Sequence, residues 1–222
     1  MASNLNTSQD DPRIVYTYAE RNKADILDAL SPHFQKAEQV LELASGSGQH
    51  VVTWAQSFPA VRFHPSEIND PALLSSISAY IKEFPNVLPP LTLDATCAAD
   101  WDRVQTLVAR NGLFDVIYMG NVLHIAPWSV TLALAKNLHT VLAVGGVFVL
   151  YGAFKRDGKF TTTSNEEFDK QLRARNSEWG LRDIADVAAE FEKSGLTLRE
   201  IKDMPANNFI LVFKKGTVME LV

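Results

Sequence analysis

The chain has 222 residues, of which 46% are hydrophobic and 21% charged, and a formal charge of −5. The apolar content excludes intrinsic disorder, 11 Gly and 10 Pro exclude a collagen-like repeat, and one cysteine, Cys97, excludes a disulfide scaffold or a Cys-based zinc site. An excess of acid (26 Asp and Glu against 21 Lys and Arg) argues against nucleic acid as a partner, and no apolar run reaches the roughly 18 residues that span a bilayer.

The opening MASNLNTSQDDPR is polar, acidic and aperiodic, unlike a signal or transit peptide. Residues 1–13 therefore read as a flexible arm, residues 14–222 as one domain, and the expected compartment is the cytosol. ERNKADILDAL, residues 20–30, carries Ala24, Leu27 and Leu30 at helical spacing, and the helix is expected to stop before Pro32. QVLELA is a short strand running into the turn SGSG, and a helix follows from Gly48 with Val51, Val52 and Ala55 on its buried side. VRFHPSE is a second strand, PALLSSISAYIKEF a helix, and PPLTLD a third strand, both strands ending on a carboxylate.

The alternation continues with a helix from Trp101 to Ala109, the strand FDVIYMGN, and the helix SVTLALAKNLHTVLAV closed by Gly145 and Gly146. VFVLYG is the next strand, followed by a polar interruption at about 152–182. RDIADVAAEFEKSG then forms a helix, and TLREIKDM and FILVFKK form a hairpin about the turn PANN. Alternating strands and helices imply an α/β fold with a doubly wound, seven-stranded, mostly parallel sheet, and the hairpin makes its last strand antiparallel.

In such a sheet ligands bind beyond the carboxyl ends of the strands. The loop Glu42-Leu43-Ala44-Ser45-Gly46-Ser47-Gly48 lies at one such end, with glycines that allow close backbone approach. Glu67 ends the second strand 19 residues after Gly48, where a carboxylate can accept both hydroxyls of a ribose. Asp94 ends the third, in reach of an adenine amino group. Val51 stands where a dinucleotide fingerprint wants a small residue, no G-K-[ST] follows the loop, and Glu42 repels phosphate while suiting a cation. Those charges favour S-adenosylmethionine (SAM), which carries ribose, adenine, an ammonium and a sulfonium but no phosphate.

ELASGSGQH, HPSE, PPLTLD and the terminal hairpin resemble the class I SAM-dependent methyltransferases. AERNK, GNVLHIAPW, LYGAFKRDGKFTTTSNEEFD, WGLRD and MPANN more narrowly resemble the methyltransferase-like 26 family, over roughly residues 14–215. The resemblance implies a Rossmann-like methyltransferase fold and methyl transfer from SAM to a small-molecule acceptor by in-line displacement. It implies that Glu42, Gly46 and Gly48 surround the methionine and ribose, that Glu67 holds the ribose hydroxyls and Asp94 the adenine. It further puts Asn121 near the amino-acid part or methyl group, and has Arg21 and Asn22 close over the cofactor, Arg21 on its carboxylate. Ala44 stands where the family's first loop glycine is usual.

His124, three residues after Asn121, is a candidate general base or a loop-fixing side chain. Tyr151, at the end of the fifth strand, is a second catalytic candidate or a core aromatic. His50 is structural or cofactor-facing, and His33, His64 and His139 receive no functional role. Phe154, Phe160, Asn165, Phe168, Arg173 and Trp179 lie in the interruption, which reads as a lid or as a buttress over the sheet edge. With no separate recognition domain expected, acceptor specificity falls to the N-terminal segment and residues 151–179. Asn207 and Asn208 suit a turn with φ > 0. The rival reading is a protein of this fold that binds the cofactor without methylating, as a scaffold or as a rearrangement or cyclisation enzyme. No metal is called for, and oligomeric state leaves no mark in the sequence.

Overall fold

Short apolar runs bounded by turn residues become strands, and parallel pairing demands that a helix carry the chain back between them. A computed structural model describes residues 11–216. Its elements are α1 (Thr17–Phe34), β1 (Gln39–Leu43), α2 (Gln49–Ser57), β2 (Arg62–Glu67), α3 (Pro71–Tyr80), β3 (Leu91–Thr92), α4 (Ala98–Asn111) and β4 (Phe114–Gly120). There follow α5 (Trp128–Val141), β5 (Leu142–Gly152), β6 (Lys155–Arg156), β7 (Lys159–Phe160), α6 (Thr163–Arg175), α7 (Ile184–Glu192), β8 (Leu196–Met204) and β9 (Asn208–Lys215). Seven strands form one sheet in the order β3-β2-β1-β4-β5-β9-β8, with β6 and β7 as a separate ribbon. β1 and β2 pair in parallel, as do β2 and β3, whereas β9 runs antiparallel to both β5 and β8. This is the mostly parallel α/β sheet with a C-terminal hairpin that the sequence predicts.

The described residues fall into two compact units. The first takes the chain to Asp94, with Phe114–Ile117; the second takes Ala95–Leu113 and the chain from Tyr118 onward. Most of the expected arm, residues 1–10, lies outside the described residues; within it Asp11 pairs with Arg13.

In the first unit the buried Phe34 packs against Trp54, Phe58 and Phe63 at ring-centroid distances of 5.5–5.6 Å. That cluster corrects the expected end of the first helix, since α1 runs through Pro32 to Phe34. Pro32 leaves the Asp28 carbonyl without its helical donor. Asp28 lies on the exposed side of the helix, and burying Phe34 outweighs the missing bond. Two smaller corrections belong here. β3 covers only Leu91–Thr92, so Asp94 lies two residues beyond it, and in α2 the fully buried positions are Gln49, Val51, Trp54 and Ala55, with Val52 half-buried.

In the second unit α5 ends at Val141, and Gly145 and Gly146 lie inside β5 rather than closing the helix. The helix end is met instead by Lys215, whose Nζ donates to the carbonyls of His139 and Leu142 at 2.6 and 2.7 Å. Phe148, Phe191 and Phe213 form this unit's aromatic core. At the β8–β9 turn the positive φ values fall on Ala206 and Asn207. Asn208 is extended and instead donates from Nδ2 to Tyr151 Oη at 3.1 Å.

The interruption is built, not open. Its ribbon turns at Asp157-Gly158, and Asp183 accepts the Gly158 N–H at 2.6 Å while capping α7 through the Ala185 N–H at 2.9 Å. Replacing Asp183 with Ala is expected to destabilise the protein by about 2 kcal/mol. An unchanged urea midpoint in that variant would contradict this role, and Asp183→Asn should lose less.

Candidate functional site

The first unit carries a cradle at the ends of β1 and β2. Leaving β1, the backbone turns through positive φ at Ala44 (53°), Gly46 (58°) and Gly48 (95°) before α2 begins. Gly48 is required twice over, because a Cβ there would also lie 3.1 Å from the Cα of Ile77. Ala44 takes the left-handed conformation that this turn imposes, at a cost of about 1 kcal/mol.

Glu67 ends β2 as expected and is buried. Its Oε2 accepts the Gly46 N–H at 2.7 Å and its Oε1 the Ile68 N–H at 2.9 Å. Burial raises its pKa, against the pull of those two donors. A carboxylate has about four acceptor sites, so two remain for a pair of hydroxyls.

Glu42 sits inside β1, also buried, and its Oε2 has no partner. Burial is the first cause that pushes its pKa up to about 8; the Ser45 hydroxyl opposes this and Glu67 adds to it. An orphaned buried acceptor at a glycine loop fits a ligand carrying an ammonium. Glu42 and Glu67 together thus fit the cation and the ribose of SAM.

Other expected residues take more local roles. Asn22 Oδ1 lies 2.9 Å from Nε2 of His50, whose pKa burial lowers to about 4, so this pair is neutral and joins α1 to α2. Arg21 is exposed on α1, and Asp94 is exposed after β3. Tyr16 and Gln49 were not expected. The Tyr16 ring comes within 3.9 Å of where a Gly46 Cβ would stand, and Gln49 accepts the Tyr16 N–H at 2.7 Å. A polar residue opening a helix straight after a glycine loop was the only signal for Gln49; Tyr16 had none.

In the second unit Asn121 follows β4 with φ 60°, a conformation asparagine tolerates, and its N–H donates to the Tyr151 carbonyl at 2.8 Å. His124 is buried, its ring packs edge-on to Phe168 at 5.3 Å, and burial with Arg182 lowers its pKa to about 4. Its carbonyl accepts the Gly180 N–H at 2.9 Å. Asn121 and His124 both approach Gly152: its Cβ would meet His124 Nδ1 at 3.5 Å and Asn121 Oδ1 at 3.7 Å. Tyr151 is a buried β5 residue whose hydroxyl accepts from Asn208.

The interruption's aromatics are spent on packing. Phe160, Phe168 and Trp179 pack against Ala153, Leu172 and Leu181, while Asn165 donates to Thr161 Oγ1 and the Asn207 carbonyl, both at 3.1 Å. Arg173 pairs with Asp169, which also accepts the Leu181 N–H at 2.7 Å. Among the described residues no cluster of His, Cys, Asp or Glu could hold a metal ion, and no helix is long and apolar enough to cross a membrane.

Solved structures of similar fold include an O-methyltransferase family protein from Burkholderia thailandensis, at 15% identity and TM-score 0.74 over 90% of this chain and 58% of that one. Human N-acetylserotonin methyltransferase, solved in complex with SAM, matches at 12% identity and TM-score 0.72 over 90% of this chain and 53% of that one. PigF, solved with SAH (S-adenosylhomocysteine), matches at 14% and 0.70 over 89% and 56%. The likeness is one of fold, the Rossmann-like methyltransferase fold, and this chain spans just over half the length of each. The model of one family matches residues 13–215, and the chain belongs to that family, described as "Protein of unknown function (DUF938)".

Proposed function

We propose that the protein binds SAM in the first unit's cradle and transfers its methyl group to a small-molecule acceptor by in-line displacement. The observation that carries this reading is Glu67, fixed at the end of β2 by Gly46 and Ile68 with acceptor capacity to spare. The orphaned Oε2 of Glu42 supports it, and so does the fold shared with methyltransferases solved with SAM or SAH. The narrower kinship with the methyltransferase-like 26 family is part of the proposal, and rests on segments such as GNVLHIAPW and MPANN.

When bound, the cofactor supplies a methyl group already made electrophilic by a sulfonium. The chain's own task is then alignment, which in ideal cases is worth roughly 7–11 kcal/mol. Glu67 would orient the ribose, Glu42 the ammonium end, Asp94 the adenine and Arg21 the carboxylate. In the second unit burial holds the His124 imidazole well below its usual range, which leaves it a weak base. An acceptor that needs little help losing a proton, such as an amine or an ionised phenol or thiol, suits that.

That same weakness favours a second reading, binding without methyl transfer. Calorimetry with SAH combined with methyl-labelled SAM and panels of small phenols, amines and thiols separates the two. Label in a small product supports transfer; binding with no labelled product supports the second reading. No binding of SAM or SAH would overturn both.

A further inference from the structure

One amide ties the start of the described chain to the glycine loop. Gln49, the first residue of α2, is 2% exposed. Its Oε1 accepts the Tyr16 N–H and the Ser47 hydroxyl, both at 2.7 Å. Its Nε2 donates to Glu20 Oε1 at 2.5 Å and to the Tyr16 carbonyl at 3.5 Å. Ser76 of α3, fully buried, makes a parallel connection: its hydroxyl donates to the Ser47 carbonyl at 2.8 Å and accepts the Ile14 N–H at 2.9 Å. Tyr80 Oη adds a bond to the Ile14 carbonyl at 3.3 Å.

Ser47, at the centre of the loop, is thus held at its hydroxyl by Gln49 and at its carbonyl by Ser76. The same two side chains hold the backbone N–H groups of Tyr16 and Ile14. The Tyr16 ring lies beside Gly46, and Tyr18 stacks on Tyr16 at 5.1 Å. The loop and residues 14–20 therefore cannot shift independently without leaving half-buried donors unpaired.

We propose that Gln49 is a positioning residue that couples residues 14–20 to the glycine loop, so that filling the cradle and ordering Tyr16 against Gly46 are one event. This rests on the nucleoside reading of the cradle. Only a carboxamide satisfies the arrangement, because two donors point at Oε1 while Glu20 needs a donor in return. A helix that merely needed starting after Gly48 would not require it.

The test reads SAH affinity by calorimetry together with amide hydrogen exchange at Tyr16, with and without SAH. In the wild type, SAH is expected to slow exchange at Tyr16. Gln49→Met should weaken SAH binding roughly tenfold and abolish the ligand's effect on that amide. Combining Gln49→Glu with Glu20→Gln re-forms the bond with donor and acceptor exchanged, and should restore both readouts.

Wild-type affinity in Gln49→Met, or SAH binding to the wild type with no change at Tyr16, overturns the coupling and leaves the nucleoside reading standing. If Gln49→Met fails to fold, the exchanged pair decides: a stable double variant lacking ligand-dependent protection overturns the coupling. Absence of SAH binding to the wild type overturns the nucleoside reading, and the coupling with it.

Discussion

Glu67→Ala is expected to weaken SAH binding about a hundredfold, the largest single effect on the cradle. Hydrogen bonds to a charged group contribute about 1.5–3 kcal/mol each, and the variant loses an acceptor for two hydroxyls at once. It also releases the Gly46 N–H, so the loop loses one of its contacts with β2 and keeps those between Ser45 and Ser66. Glu67→Gln separates these contributions. It keeps one acceptor oxygen but turns an NH2 group toward a ligand hydroxyl or toward the Gly46 N–H, and should fall between wild type and Ala. Calorimetric titration of both variants checks this, and a Glu67→Ala protein that binds SAH as the wild type does would remove Glu67 from the site.

Glu42 makes the second large prediction, which concerns pH. Its folded pKa of about 8 lies above the ordinary value of 4.5, so between these limits the folded protein holds a proton that the unfolded chain has released. The contribution to stability is therefore full below about pH 4.5 and is lost as pH rises through 8. The slope is about 1.4 kcal/mol per pH unit, and the total a few kcal/mol. Glu42→Gln, which is neutral throughout, should be more stable than the wild type at pH 8.5 and nearly equal to it at pH 4.5. Thermal unfolding across that range checks the sign. If the cradle takes an ammonium at Glu42, saturating SAH should flatten the wild-type slope, because a cation stabilises the ionised carboxylate. The Gln variant should bind SAH more weakly although it is more stable. Parallel stability curves for the two proteins would show that Glu42 does not carry a proton the way its burial requires.

Most of the architecture was legible in the residues because the relevant signals are local. QVLELA and VRFHPSE are short, apolar and bounded by turn chemistry, and each forms a strand, Gln39–Leu43 one residue short of the expected end and Arg62–Glu67 ending on the expected carboxylate. The left-handed turns at Gly46 and Gly48 follow from glycine itself. The misplaced boundaries share a different cause. Pro32 as a stop and Gly145-Gly146 as a helix close are sound local rules, overridden by Phe34 packing among distant aromatics and by Lys215 reaching the carbonyls of His139 and Leu142. The aromatics of the interruption, read as a lid or a buttress, were visible as a group, and Phe160, Phe168 and Trp179 pack on Leu172 and Leu181.

The sequence by itself determined the order of strands and helices outside the interruption at about 152–182, the antiparallel finish, and the acids and glycines at the ends of β1 and β2. Periodicity, turn chemistry and charge act over a few residues and need no partner far away in the chain. Tertiary structure alone decided that Glu42 holds an orphaned oxygen, that His124 is depressed by burial, and that Gln49 and Ser76 bind residues 14–20 to the loop. Each depends on desolvation or on a hydrogen bond between positions distant in the chain. Such energies exist only once folding has removed water and set the partners at fixed distances.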